Sequence, residues 1–172
     1  MNKDLRAELM RRCDEEQKLR TEWIDKQDDK AFAERVIEND RQNTTWLEGV
    51  VDTHGWLGKS LVGKDGAKAI FLLVQHSPNL AFQQKCLPLL EAAVQKKQAD
   101  LQDLAYLTDR VLLAEGKKQL YGTQGMHTDN GIVPSPIEDE ANVDARRKAL
   151  KMMPLAKYFA MMNEFYKTQQ GK

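Results

Sequence analysis

The chain has 172 residues, 26 Lys+Arg against 26 Asp+Glu, three His, two Cys and 41% apolar residues. That length suits one domain, or one domain with an arm, and can bury a proper core. Zero net charge argues against a nucleic-acid binder held mainly by phosphate contacts, no apolar run approaches the ~18 residues of a membrane span, and the charged start MNKDLRAELMRRCDEEQK lacks the apolar centre of a signal peptide.

Residues 3–25 read as a helix, with Leu5, Leu9, Cys13, Leu19 and Trp23 at three- and four-residue steps and Glu16 interrupting the stripe. Its narrow stripe suits either a surface helix on its own domain or an arm for self-association or a protein partner. The expected organisation is therefore an N-terminal charged helix over 1–26 and a single helical domain over 27–172. A second helix spans 29–53 and stops at Gly55. Its inner face reads Phe32, Val36, Asp40, Asn43, Leu47 and Val50, continued by His54 if the helix reaches it. Two polar groups on a core-facing stripe need partners, since an unsatisfied one costs about 1–3 kcal/mol, so Asp40 and Asn43 are expected in a network.

Four glycines make HGWLGKSLVGKDG, 54–66, a loop. Gly58-Lys59-Ser60 lacks the upstream glycine and strand of a phosphate-binding loop. Residues 65–77 form a helix that is apolar almost all round and so central, ending in Gln75 and His76. Residues 79–98 form the next, capped by Asn79 and bent by Pro88. The helix over 100–115 presents Leu101, Leu104, Leu107, Thr108 and Val111 inward and leaves Asp109 off that face. The period then breaks: 118–137 reads as a β-hairpin or extended flap turning at Asn130-Gly131. In a strand, Gln119, Tyr121 and Thr123 point one way, Leu120 and Gln124 the other. Helices return at 141–150 and 154–168. The fold class is mainly α, six to seven helices with one β excursion.

Several polar residues stand where apolar ones are the default: His54, Gln75, His76, Gln83, Asp109, Arg110, Tyr121 and Gln124. A His in the last turn of a helix gains from the dipole, which suits acid–base work; the plain alternative is a cap on the end carbonyls. No pair of His has the four-residue spacing of a helical metal site. Asp40 and His54, fourteen residues apart on one helix, stand roughly 21 Å apart. No metal and no cofactor is therefore expected. Cys13 and Cys86 have no neighbouring His motif and read as reduced thiols of a cytoplasmic protein. Arg110, Arg146 and Arg147 could grip an anion bidentately; for Arg146-Arg147 the alternative is a solvated face paired with Glu138, Asp139 and Glu140.

The combination HGW, VG, LLVQH, FQ, LTDR, G–Q–YGTQ and VDARR, spread over about residues 35–160, resembles an uncharacterised bacterial family with a domain of unknown function. That family carries Pro where this chain has Leu57. The resemblance implies a residue list without a reaction: His54, Trp56, Gly63, Gln75, His76, Gln83, Asp109, Arg110, Gln119, Tyr121, Gly122, Thr123, Gln124, Arg146 and Arg147.

Two readings follow. In the first, a small polar or anionic molecule is bound, with or without turnover. His54 and His76 are its acid–base groups and Asp109 orients one of them; Arg110 or Arg147 clamps the anion. Gln75, Trp56, Tyr121, Thr123 and Gln124 make further contacts. In the second, a non-catalytic interaction protein, the same residues form an internal network locking the flap to the helices, and Met126, Met161 and Met162 meet a partner. The sequence supports the first narrowly, and both rank above nucleic-acid or membrane roles.

Overall fold

Asn2, Asp29 and Asn79 set the starts of three helices by accepting the backbone N–H three residues on, from Leu5, Phe32 and Phe82 at 3.1, 3.1 and 3.2 Å. Each such cap is worth about 1 kcal/mol. The computed structural model describes residues 1–170 apart from Gln27 and Asn130; the expected Asn130-Gly131 turn therefore falls in part outside the described residues. Two compact units divide the chain, Met1–Asp100 and Leu101–Lys172.

The first unit contains α1 (Lys3–Ile24), α2 (Lys30–His54), α3 (Lys59–Gln75) and α4 (Leu80–Gln95). Asn2 N–H donates to the Leu61 carbonyl, and Glu16 meets His76, so α1 and α3 run parallel. Arg12 meets Asn43 and Arg20 meets Asp40, so α2 runs against them. Gln83 reaches the end of α3, and the Gln98 carbonyl accepts from Lys59 N–H at its start, so α4 runs down. This is an up-down-up-down bundle. Its core includes Leu9, Leu47, Leu57, Val62, Ile70, Val74, Cys86 and Leu90, all fully buried. The apolar α3 lies in the middle, as its sequence requires.

The expected loop over 54–66 is shorter than that. Helix resumes at Lys59, leaving 55–58 as the connection. The glycines misled the reading because only Gly63 breaks the helix, with φ 78° and ψ 173°, a conformation that costs glycine little and other residues more.

The second unit holds α5 (Leu101–Ala114), the antiparallel hairpin β1 (Gly125–Thr128) and β2 (Gly131–Pro134), a short 3₁₀ turn (Glu140–Asn142), α6 (Val143–Ala149) and α7 (Leu155–Gln170). The strand register pairs Gly125 with Pro134 and Thr128 with Gly131. Ile132, Tyr158 and Phe159 form a core, flanked by Tyr106, Leu155, Met162 and Tyr166. Asn163 on α7 fastens the hairpin, accepting from Ile132 N–H at 2.7 Å and donating to its carbonyl at 2.8 Å. The whole chain is mainly α, with seven α-helices and one β-hairpin among the described residues.

Two expectations fail locally here. Residues 119–124 form no strand; they wind around a side chain, as described below, and only Gln119 makes an isolated bridge, to Ile137. Asp109 does not lie off the inner face of α5, since it is fully buried together with Ala105 and Leu107, while Leu101 is exposed. α5 buries residues around much of its girth, so a single apolar stripe does not describe it.

Candidate functional site

Glu16 on α1 is the most deeply buried carboxylate of the first unit, at 1% exposure. Its Oε1 stands 2.7 Å from His76 Nδ1 and pairs with Arg20 Nε, and its Oε2 accepts from Gln17 at 2.6 Å. Arg20 also donates to Asp40 Oδ2 at 2.6 Å. Burial alone would raise the Glu16 pKa, but the hydrogen bond and charge of His76, together with Arg20, outweigh it and hold the carboxyl below its usual value. Gln75 Nε2 lies 3.3 Å from His76 Nε2. A carboxylate at Nδ1 favours a proton there and fixes the ring. Beside this cluster, Thr44 donates to Ser77 Oγ at 2.8 Å, and Asn43 joins Arg12 and Asn39 at 3.0 Å each. The network expected around Asp40 and Asn43 is therefore present, and α1 supplies its cations. Gln83 ties the end of α3 by donating to the Gln75 and Ser77 carbonyls at 3.0 Å each.

His54 is elsewhere. It is exposed at the end of α2 and lines an open cleft of about 310 Å³ with Trp56, Ser60, Lys96 and Gln98. The indole N–H of Trp56 is buried without a partner among the described residues. His54 stands beside the start of α3 and His76 at its end, so roughly 20 Å of helix lies between the two imidazoles. They do not share one small-molecule site.

The remaining sequence-derived residues belong to the second unit. Asp109, fully buried, organises the segment after α5. Its carboxylate accepts from the N–H groups of Leu120, Tyr121 and Thr123 at 2.8, 3.0 and 2.9 Å, and from Thr123 Oγ at 2.9 Å. Gln119, also fully buried, closes the same turn. Its amide donates to the Gln124 and Ser135 carbonyls at 2.9 and 2.7 Å and accepts from Gln124 N–H at 3.0 Å. The Gln124 amide donates to Thr123 Oγ at 3.1 Å. Burial, with the Asp109 charge behind it, raises the pKa of the half-buried Tyr121. Arg110 is half-buried on α5.

The two arginines of α6 divide their work. Arg146 grips backbone, donating to the carbonyls of Leu120, Glu138 and Asp139 at 2.7, 2.6 and 3.0 Å. Arg147 is 1% exposed, so it is no part of a solvated face. Its Nε donates to the Met153 carbonyl at 2.7 Å, and its Nη1 to the Tyr121 and Gly122 carbonyls at 2.6 and 3.1 Å. The guanidinium lies 4.9 Å from the centre of the Tyr158 ring, a favourable cation–π distance. It forms no ion pair among the described residues, and Nη2 has no protein acceptor there. Burial lowers its pKa from the usual arginine value, with the nearby Tyr106 and Tyr158 and the charges of Asp144 and Asp109 opposing.

Arg147 borders a cavity of about 190 Å³ shared with Gln102, Tyr106, Lys151, Tyr158 and three methionines, Met152, Met153 and Met161. Tyr106 donates to Tyr158 at 3.3 Å, and Tyr158 to the Thr123 carbonyl at 3.2 Å. The sequence points to Arg147 but gives no local signal for Tyr106 or Tyr158, which converge on it only through packing. Glu16 also escapes the sequence reading, although a carboxylate on a buried stripe is the available signal. No cluster of three or more His, Cys, Asp or Glu able to hold a metal occurs among the described residues. No helix among them is long and apolar enough to cross a membrane.

Residues 3–170 match the model of the family of unknown function DUF6624, and the chain belongs to that family. No curated protein and no solved structure matches it.

Proposed function

We propose that this family member binds a small anionic molecule in the cavity of its second unit, with Arg147 as the anion clamp. One observation carries the reading: a guanidinium that is 1% exposed borders a cavity with its Nη2 unclaimed and no carboxylate paired to it. A buried charge without an opposite charge is costly. Its three carbonyl bonds, the Tyr158 ring and the charges of Asp144 and Asp109 offset part of that cost, and an anion in contact with Nη2 would offset more. Asp109, Gln119, Thr123 and Arg146 serve as positioning residues, holding the 119–124 turn whose Tyr121 and Gly122 carbonyls fix Nη1.

The internal-network reading draws support from the same turn, because every hydrogen bond of the Asp109 carboxylate goes to residues 120–123. An anion titration separates the two. Wild-type protein with ¹³C-methyl-labelled methionine is titrated with sodium acetate and sodium phosphate at constant ionic strength. Saturable shifts of the Met152, Met153 and Met161 methyl signals support anion binding. Shifts spread evenly over all seven methionines, or none, leave the network as the whole role of these residues.

A further inference from the structure

The lining of the Arg147 cavity narrows the class of ligand, an inference that rests on the anion reading above. Three features bear on it. The first is charge: Arg147 is the only deeply buried cation among the lining residues, and Lys151, the other, is exposed and screened by water. The site therefore offers about one unit of positive charge at depth, which balances a monoanion better than a phosphate near −2.

The second is the supply of donors. Of the five guanidinium N–H groups, the Nε hydrogen and both Nη1 hydrogens are spent on the carbonyls of Met153, Tyr121 and Gly122. The Tyr106 hydroxyl proton points to Tyr158, and that of Tyr158 to Thr123. One hydrogen of the Gln102 amide donates to the Lys151 carbonyl at 3.1 Å, and the other belongs to an exposed side chain. What remains at depth is the pair of Nη2 hydrogens, enough for one carboxylate and too few for the oxygens of a phosphate or sulfate.

The third is the wall. Met152, Met153, Met161 and the two tyrosine rings make most of it apolar, and Met153 and Met161 are 38% and 47% exposed at its rim. Flexible thioethers adapt to an apolar guest, and exposed apolar side chains around a polar anchor mark a surface that a ligand covers. The volume, about 190 Å³, falls below the usual range of drug-sized sites, roughly 300–1,000 Å³, so the guest is small.

We infer that the second unit binds a small monocarboxylate with a compact apolar or aromatic body, its carboxylate on Arg147 Nη2 and its body against Met152, Met153 and Met161. The test titrates the full chain with benzoate, acetate, inorganic phosphate and benzamide, reading the methionine methyl signals. Benzoate should saturate at a concentration at least tenfold lower than acetate, phosphate or uncharged benzamide. R147Q should weaken benzoate at least tenfold; should that variant fail to fold, the four-ligand comparison on wild type decides alone. Phosphate binding as tightly as benzoate would overturn the monocarboxylate assignment and leave the anion reading standing. Acetate matching benzoate would overturn the role of the apolar wall. Benzamide matching benzoate, or no ligand shifting these methyls, would overturn both readings.

Discussion

Replacing Asp109 with Asn should loosen the turn that fixes Arg147. The carboxylate is fully buried and accepts three backbone N–H groups and one hydroxyl, all between 2.8 and 3.0 Å at their shorter contacts. Asn keeps one acceptor oxygen and turns an NH₂ donor toward whichever amides lie on the other side. If the oxygen stays with Leu120 and Tyr121, Thr123 N–H faces a donor. A hydrogen bond to a charged group is worth about 1.5–3 kcal/mol, and a buried unsatisfied donor costs about 1–3 kcal/mol. With the surviving bonds reduced to neutral ones, D109N should cost about 2–4 kcal/mol. Guanidinium unfolding gives the total, and amide hydrogen exchange locates it: the amides of Leu120, Tyr121 and Thr123 should lose protection ahead of the hairpin. A loss below about 1 kcal/mol with those amides still protected would refute the positioning role and return Asp109 to the candidates for chemistry.

Glu16 ionises more readily in the folded chain than its ordinary pKa allows. Its stabilising contribution is therefore complete above the unfolded carboxylate value of about 4.3 and fades as pH falls through the lower folded value. E16Q should cost about 3 kcal/mol at neutral pH and flatten the acid side of a stability-against-pH curve, followed by circular dichroism. G122A should destabilise by about 1–3 kcal/mol, because Gly122 has φ 63° and an added Cβ would sit 2.5 Å from Leu155 Cδ1; denaturant midpoints check it. Burial raises the thiol pKa values to about 11 for Cys13 and about 12 for Cys86. A thiol reagent at pH 8 should leave both untouched in the native protein and modify both after unfolding.

How far the sequence foretold this structure depends on whether a residue acts through its own helix or through a distant partner. The α2 stripe was legible because Asp40 and Asn43 interrupt it on one face, and interruption of a core stripe demands partners. Which partners was not legible: Arg12 and Arg20 sit on another helix, and Glu16 looked like a flaw in a narrow stripe rather than one of its most buried members. The stop at Gly55 and the cap at Asn79 depend on local geometry and match the sequence expectation. The break in helical period and the Asn130-Gly131 signal mark 118–137 as a hairpin or extended flap, but the backbone donors of 120–123 go to one carboxylate from α5, a tertiary event that no local pattern encodes. Arg147 was a candidate clamp by residue type, whereas the tyrosines and methionines around it come from α5, α7 and the connection before α7. Their convergence is a product of packing.

The anion clamp at Arg147 has one direct test. Crystals soaked in sodium bromide, with diffraction recorded at the bromine edge, report any anion site as an anomalous peak. A peak in the cavity, in contact with Arg147 Nη2 and displaced by a subsequent benzoate soak, is the result expected here. A cavity without bromide, while bromide occupies other sites on the same molecule, would contradict the clamp and leave Arg147 as a brace for the turn.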